Sequence, residues 1–313
     1  MKHNTTDLIS IVVPTYNEEG NVELLFEKIN KSIGKENFEV IYVNDGSRDK
    51  SLERVKALSK AHPQVRYVSF SRNFGHQAAL RAGLRAAKGR AVISMDADLQ
   101  HPPSLLPTLI AKWREGFQVV YTIRKDTEET GFLKRTSSSM FYKLLNFLSG
   151  LHMSEGAADF RLLDRKIVNL VNDQHESDIF LRGYISWLGF NQIGIDYTPA
   201  KRFSGKSKYS LKKLLALAST GVTQFSIKPL RLAHIMAVAA FVVSLVYVVY
   251  ALVVSVAGHV VPGWLSLIVL FVFMQGVQFL LLGLIGEYLG RTFMQTKNRP
   301  EFIVADTSEA EDE

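Results

Sequence analysis

From Leu232 to Gly286 the chain carries no Asp, Glu, Lys or Arg. This run of about 55 residues far exceeds the ~20 apolar residues that cross a ~30 Å hydrocarbon core. It argues against a purely water-soluble fold. The segment Gly258–Gly263, with Pro262, divides the run into His234–Ala257 and Trp264–Gly286. At ~1.5 Å per residue each half is long enough to span a bilayer. Lys228 and Arg231 precede the first half, and Arg291, Lys297 and Arg299 follow the second, whereas the connecting loop has no Lys or Arg. The preference of basic flanks for the cytoplasm places both flanks inside and the loop outside. A buried helical hairpin in a soluble protein is the alternative.

The first half of the 313-residue chain has a different texture. Short apolar runs read as strands at Ile9–Pro14, Phe38–Val43, Val65–Phe70, Ala91–Met95 and Phe117–Ile123, and amphipathic segments between them as helices at Val22–Ile33, Ser51–His62, Gln77–Lys88 and Ser104–Glu115. Such alternation predicts βαβ units and a mostly parallel sheet, with ligands at the carboxyl ends of the strands. The polar motifs lie there: Thr15–Glu19, Asn44–Asp49, Asp96–Gln100 and Arg124. Two basic amphipathic stretches, Phe132–Leu148 and Leu211–Phe225, suit either a core or a membrane surface. Glu301–Glu313 is an acidic tail expected to stay unstructured. Met1–Ser10 is polar, so the first domain is expected in the cytoplasm. The net charge of +7 suits an anionic membrane or a phosphorylated substrate. No nucleic-acid partner is expected. The absence of cysteine excludes thiolate chemistry and zinc–cysteine sites.

Asp96 and Asp98 follow a buried strand at i and i+2, so both carboxylates can serve one hard divalent cation, Mg²⁺ or Mn²⁺, with Gln100 as a further polar ligand. A solvated turn is the plainer reading. Asn44–Ser47 reads as an Asx turn, and its Asp45 also as a carboxylate facing a nucleobase edge. Asn17 reads as a helix cap, with Glu18 and Glu19 favoured at the positive helix end and Tyr16 able to pack on a base. His76 and His101 read as polar surface residues beside this region, and Asn73–Gly75 as a helix entry.

Jointly, IVVPTYNEEGN, VNDGSRD, SRNFGH, MDADLQHPP, ADFRLLDR, RFSGKSKY and the two apolar helices resemble the inverting family 2 glycosyltransferases of GT-A fold. The likeness is to the polyprenyl-phosphate subgroup, the bactoprenol glucosyltransferases before the dolichol-phosphate mannose synthases. It implies a nucleotide-sugar site lined by Pro14, Tyr16 and Glu18 with Asp45 on the base. It further implies that Asp96, Asp98 and Gln100 hold metal and diphosphate, and that Arg124 lies near the donor. Thr122 stands where the family often has glycine. Asp159 matches a proposed catalytic base, though it can instead act electrostatically or pair with Arg161 or Arg165. Arg202, Ser207, Lys208 and Tyr209 match the segment that handles acceptor phosphate, where simple attraction to anionic lipid is the alternative.

The expected organisation is a nucleotide-sugar core over 1–130, an acceptor-side region with juxtamembrane helices over 131–229, a two-helix anchor over 230–290 and a cytoplasmic tail over 291–313. The implied reaction moves one sugar, with UDP-glucose the favoured donor, to undecaprenyl phosphate at the cytoplasmic face of the inner membrane, by a homo-oligomer (a tetramer by resemblance). A sugar-nucleotide pyrophosphorylase and a non-catalytic membrane scaffold are the alternatives.

Overall fold

Strand β1 (Ile9–Thr15) is the centre on which the sheet is laid. Its side chains alternate between faces: Ile9, Ile11 and Val13 enter one apolar core, and Val12 enters the other. A strand buried on both faces must be apolar throughout, which is why this segment reads as a continuous hydrophobic run. The computed structural model describes residues 7–125, 146, 150, 156–174, 176, 180–198, 226–258 and 263–308.

After β1 follow α1 (Val22–Ile33), β2 (Phe38–Asn44), α2 (Ser51–Ala61), β3 (Val65–Phe70), α3 (His76–Ala86), β4 (Ala91–Ser94), a 3-10 turn at Pro103–Leu105, α4 (Leu106–Arg114) and β5 (Val119–Arg124). Then come β6 (Ala157–Asp164), α5 (Arg165–Asn172), α6 (Leu181–Trp187), β7 (Gln192–Tyr197), the long helices α7 (Lys228–Val256) and α8 (Trp264–Thr296), and β8 (Val304–Thr307). The described strands form one sheet in the order β7-β5-β6-β4-β1-β2-β3-β8. Helices α1, α2 and α4 pack their buried residues on one face, and α3, α5 and α6 on the other. Each fully buried aliphatic or aromatic side chain contributes ~1.5–3 kcal/mol.

The alternating pattern predicted from sequence holds from β1 to β5, with boundaries within a few residues. The sheet is mostly parallel, as the pattern predicts, with two exceptions: β6 runs antiparallel between β4 and β5, and β8 antiparallel beside β3. Apart from Asn146, the two basic amphipathic stretches and the segment bearing Arg202 lie outside the described residues. Helix α7 covers the first predicted apolar span to within one residue, ending at Val256, and α8 covers the second and runs ten residues beyond Gly286, to Thr296. Both helices are long and apolar enough to cross a membrane, and most of their described side chains are exposed.

The acidic tail departs from expectation. Instead of staying unstructured, Val304–Thr307 pairs with β3 and covers that edge of the sheet. Asp306 makes an ion pair of 2.5 Å with Lys56 of α2 and accepts a 3.3 Å hydrogen bond from the Tyr67 hydroxyl. The acidic residue that suggested a solvated tail is the one that pins it.

Helix α3 lies tightly on β1 because residue 83 is glycine: a Cβ there would run into the Val12 side chain. Overpacking of this kind costs ~1–3 kcal/mol. Alanine would regain ~1 kcal/mol of helix propensity. Gly83→Ala is therefore expected to lower stability by up to about 2 kcal/mol. Combining it with Val12→Ala should recover part of that loss, because the second change opens the space the first one fills. Thermal melts of the full chain in detergent check this, and a wild-type melting temperature for Gly83→Ala would show that the contact yields freely.

Candidate active site

Four loops meet at one end of the sheet because β1, β2, β4 and β5 all run toward it. The loops after β1 and β2 are laced together. Backbone N–H groups of Asn17 and Glu18 donate to Ser47 Oγ (3.0 Å) and Ser51 Oγ (2.8 Å), and Arg48 N–H donates to Asn17 Oδ1 (2.8 Å). Asn17 thus ties one loop to the next from a left-handed backbone (φ 55°) and does not cap α1, which begins five residues later. Pro14 is buried within β1, Tyr16 is exposed, and Glu18 accepts a 2.6 Å hydrogen bond from Asn21 Nδ2. The predicted Asx turn is present: Asn44 Oδ1 accepts from Ser47 N–H at 3.2 Å. Gly46 has φ 64°, and any side chain on it would strike the Arg72–Asn73 backbone.

Asp45 is only 4% exposed. Its carboxylate accepts the Phe74 N–H at 2.6 Å and the Gly75 N–H at 3.0 Å. Burial raises its pKa, and these two N–H bonds oppose the rise. Asp45 therefore binds the end of β2 to the loop that opens α3, whose predicted entry at Asn73–Gly75 is borne out.

The loop after β4 carries Asp96 and Asp98. Leu99 adopts a left-handed backbone (φ 61°), a conformation that costs ~1–3 kcal/mol in a non-glycine residue and is held only by its surroundings. This turn folds Gln100 back, so that its N–H and Nε2 donate to the Asp98 carboxylate at 3.1 and 2.8 Å. Gln100 Oε1 accepts from Arg124 Nη1 at 3.2 Å, which joins the ends of β4 and β5. His101 is 5% exposed and stacks on Phe160 at 5.1 Å, not the surface residue expected. Its Nδ1 accepts the Asp96 N–H (3.0 Å), which leaves Nε2 as the protonated nitrogen, 3.7 Å from Asp96 Oδ2. His101 thus orients Asp96 from behind.

Strand β6 brings Asp159 beside this turn, and the Ser94 hydroxyl donates to the Asp159 carbonyl at 2.5 Å. The Asp159 carboxylate lies 3.0 Å from Arg182 Nη2 and 3.3 Å from Arg161 Nη2. Nε2 of His76, the first residue of α3, stands 3.6 Å from Asp96 Oδ1 and 3.8 Å from Asp159 Oδ2, so it bridges the two acids. Burial alone would raise the Asp159 pKa, but Arg182 and Arg161, with His76, outweigh it and hold the carboxyl well below the usual carboxylate range. Burial pulls Arg161 down to about 10, with Asp159 opposing the fall. An acid held so firmly ionised is a weak proton acceptor and a strong fixed negative charge.

The structure thus brings together Asp96, Asp98, Gln100, Arg124 and Asp159, with Asp45, Tyr16 and Glu18 on the neighbouring loops. Arg202, Ser207, Lys208 and Tyr209 lie outside the described residues. Arg182 was not foreseen, because an arginine at a helix start carries no signal until its partner is known. Arg161, considered only as one of two partners for Asp159, is that partner; Arg165 instead donates to the Ala87 and Gly89 carbonyls. Among the described residues no three His, Cys, Asp or Glu side chains form a metal cage. The Asp96 and Asp98 carboxylates nonetheless fit a hard cation that takes its other ligands from water and a diphosphate, whereas Gln100 turns its amide nitrogen to Asp98 and its oxygen to Arg124.

The depressed Asp159 pKa fixes a pH dependence. A carboxyl ionised more easily in the folded state adds stability above its unfolded pKa of ~3.9 and loses it as pH falls below that value. Wild-type protein should therefore lose stability below about pH 4 more steeply than Asp159→Asn. Melting temperatures from pH 7 to pH 3 check this, and parallel curves would mean that Asp159 is not held by its arginines.

The model for "Glycosyl transferase family 2" matches residues 10–171, and that for "GtrB C-terminal hairpin" matches residues 228–292. The glycosyltransferase YkcC of Bacillus subtilis is 40% identical, over 94% of this chain and 92% of its own length. A prophage bactoprenol glucosyl transferase homolog of Escherichia coli is 37% identical, over 95% and 98%. The bactoprenol glucosyl transferase of Shigella phage SfII is 38% identical, over 95% and 97%. Among solved structures, glucosyl-3-phosphoglycerate synthase of Mycobacterium tuberculosis aligns at 20% identity and a TM-score of 0.46, over 69% of this chain and 78% of that one. The family model spans Asp45, Asp96, Asp98 and Asp159, and neither a pyrophosphorylase nor a bare scaffold accounts for that match joined to the hairpin. The chain belongs to glycosyl transferase family 2 and is a glycosyltransferase whose two long apolar helices form a GtrB-type hairpin.

Proposed function

We propose that the protein transfers one sugar, glucose from UDP-glucose in the first instance, to a polyprenyl phosphate such as undecaprenyl phosphate, with inversion, at the cytoplasmic face of the membrane. The observation that carries this is the meeting of Asp96, Asp98 and Asp159 at the strand ends of a chain that also bears the hairpin. The names of the bactoprenol relatives point to the same acceptor. A water-soluble donor must meet a lipid-borne phosphate, and basic flanks on both apolar helices favour a site on the inner side.

The acceptor monophosphate has a second pKa of ~6, so its oxygen is largely anionic at neutral pH and needs no strong base. That oxygen attacks the anomeric carbon, one carbon–oxygen bond forms, and the bond to the nucleoside diphosphate breaks. Asp159, held ionised by Arg161 and Arg182, stabilises positive charge developing at the anomeric carbon. Asp45 with Tyr16, Pro14 and Glu18 forms the nucleoside side of the donor pocket. Asp96 and Asp98 would hold Mg²⁺ or Mn²⁺, and the cation would offset the charge of the leaving diphosphate. Gln100 and Arg124 steady this turn. Arg202, Ser207, Lys208 and Tyr209 supply the acceptor-phosphate contacts, in a homo-oligomer.

The test incubates full-length protein in nanodiscs with undecaprenyl phosphate, Mg²⁺ and a panel of radiolabelled sugar nucleotides, and counts label in the lipid phase. UDP-glucose is expected to label the lipid; no label from any donor would sink the proposal. Asp96→Asn and Asp98→Asn should each lower turnover at least ~100-fold, about 2.7 kcal/mol of barrier. Full activity of both variants in excess EDTA would remove the metal from the scheme.

A further inference from the structure

The segment after α8 packs on β3 and α3, the two elements that flank the loop whose N–H groups hold Asp45. Its Phe302 ring stacks on Phe70 of β3 (4.9 Å between centroids, 17° between planes). Phe70 meets Phe74 edge-on at 5.7 Å. Phe74 N–H in turn makes the 2.6 Å bond to the Asp45 carboxylate. One residue earlier, Glu301 lies 2.9 Å from the guanidinium of Arg81, which is 2% exposed on α3. Nη2 and Nη1 of that guanidinium also donate to the Gln174 and Glu176 carbonyls, at 2.7 and 2.8 Å. Arg85, one turn further along α3, lies over the Phe302 ring at 5.2 Å. Ser71 N–H donates to the Ile303 carbonyl at 3.0 Å, and β8 continues the grip along β3. The tail therefore holds α3 from behind while α3 presents His76 and its entry loop to the site.

We infer that Glu301 and Phe302 are positioning residues for the donor site: the Phe302–Phe70–Phe74 stack and the Glu301–Arg81 pair set the pose of the loop whose N–H groups hold Asp45, and so set affinity for the donor nucleoside. The geometry favours this over simple edge covering. Covering the edge needs only the β8 pairing at Val304–Thr307, yet the aromatic stack and the buried ion pair precede that pairing and point at α3. The inference rests on Asp45 serving the nucleoside, as proposed above. It adds that the donor pocket is fastened to the membrane hairpin, since only Lys297–Pro300 separates α8 from Glu301.

The test uses the full chain in nanodiscs, with UDP and GDP as binding probes and UDP-glucose and undecaprenyl phosphate as substrates. Phe302→Ala and Glu301→Gln should each weaken binding of the preferred nucleoside diphosphate about 5- to 10-fold and raise the donor KM alike. Turnover at saturation and the acceptor KM should stay within about 2-fold, because a misplaced nucleoside contact removes mostly uniform binding. Phe302→Tyr keeps a flat ring in the stack and should restore affinity, whereas Phe302→Leu keeps bulk without the ring and should not. If Phe302→Ala folds poorly, the Tyr and Leu pair decides the matter at matched stability. Wild-type nucleotide affinity in Phe302→Ala with only a lower melting temperature overturns the inference, as does an equal fall in every kinetic constant. Asp45→Ala separates the two ideas. If it weakens nucleotide binding while the Phe302 variants do not, only the positioning role fails. If it binds nucleotide as wild type does, the nucleoside reading of Asp45 fails and the inference with it.

Discussion

The pairing of β4 with β6 is what makes a site out of two distant stretches of chain. Ser94 lies opposite Arg161 in that pairing, and its hydroxyl reaches back to the Asp159 carbonyl. Asp96 follows the end of one strand and Asp159 opens the other, so antiparallel registry brings the two carboxylates to the same end of the sheet. A shift by one residue would reverse every side chain of β6. Phe160 would leave the core, and Asp159 would turn from Arg182. Burial of Phe160 and Leu162 on one face and Leu163 on the other makes such a shift costly, so the core enforces the position of the acid.

Charge at this seam is handled by pairing rather than by solvent. Arg161 is 5% exposed, and its guanidinium is shared between the Ala158 carbonyl and Asp159. Arg182 approaches the same carboxylate from a separate helix. A buried carboxylate with one arginine can be matched charge for charge; with two, the local balance is positive. That excess, beside the acidic turn of Asp96 and Asp98, suits a region where phosphate groups and a cation come together.

The sequence revealed the parts whose rules are local. Strands β1 to β5 are apolar runs between amphipathic helices, and the long apolar helices are set by length alone. Strand β6 was not foreseen as a strand because its AADFRLLD segment places acids and an arginine among apolar residues, and Arg161 is accommodated only by partners elsewhere. Strand β7, QIGIDY, is half-exposed and short of apolar residues, so its pairing with β5 was not evident. The site was legible as motifs, but not as an arrangement. Asp45, Asp96 and Asp98 stood out at predicted strand ends, whereas the roles of His76, His101 and Arg182 depend on contacts across the fold. Asn17 was misjudged for a related reason: its side chain found a partner in the next loop before it could cap its own helix.

The tail strand also bears on how this molecule survives crowding. Without β8, β3 would end the sheet with a row of unsatisfied backbone donors and acceptors, a template for any other extended chain. Molecules held by a hairpin in one plane meet each other far more often than molecules free in three dimensions. A strand of four residues covers that template from within the same chain, and its own outer edge is too short to offer another chain a long line of pairing. The same four residues that complete the sheet thereby keep neighbouring copies from fusing edge to edge.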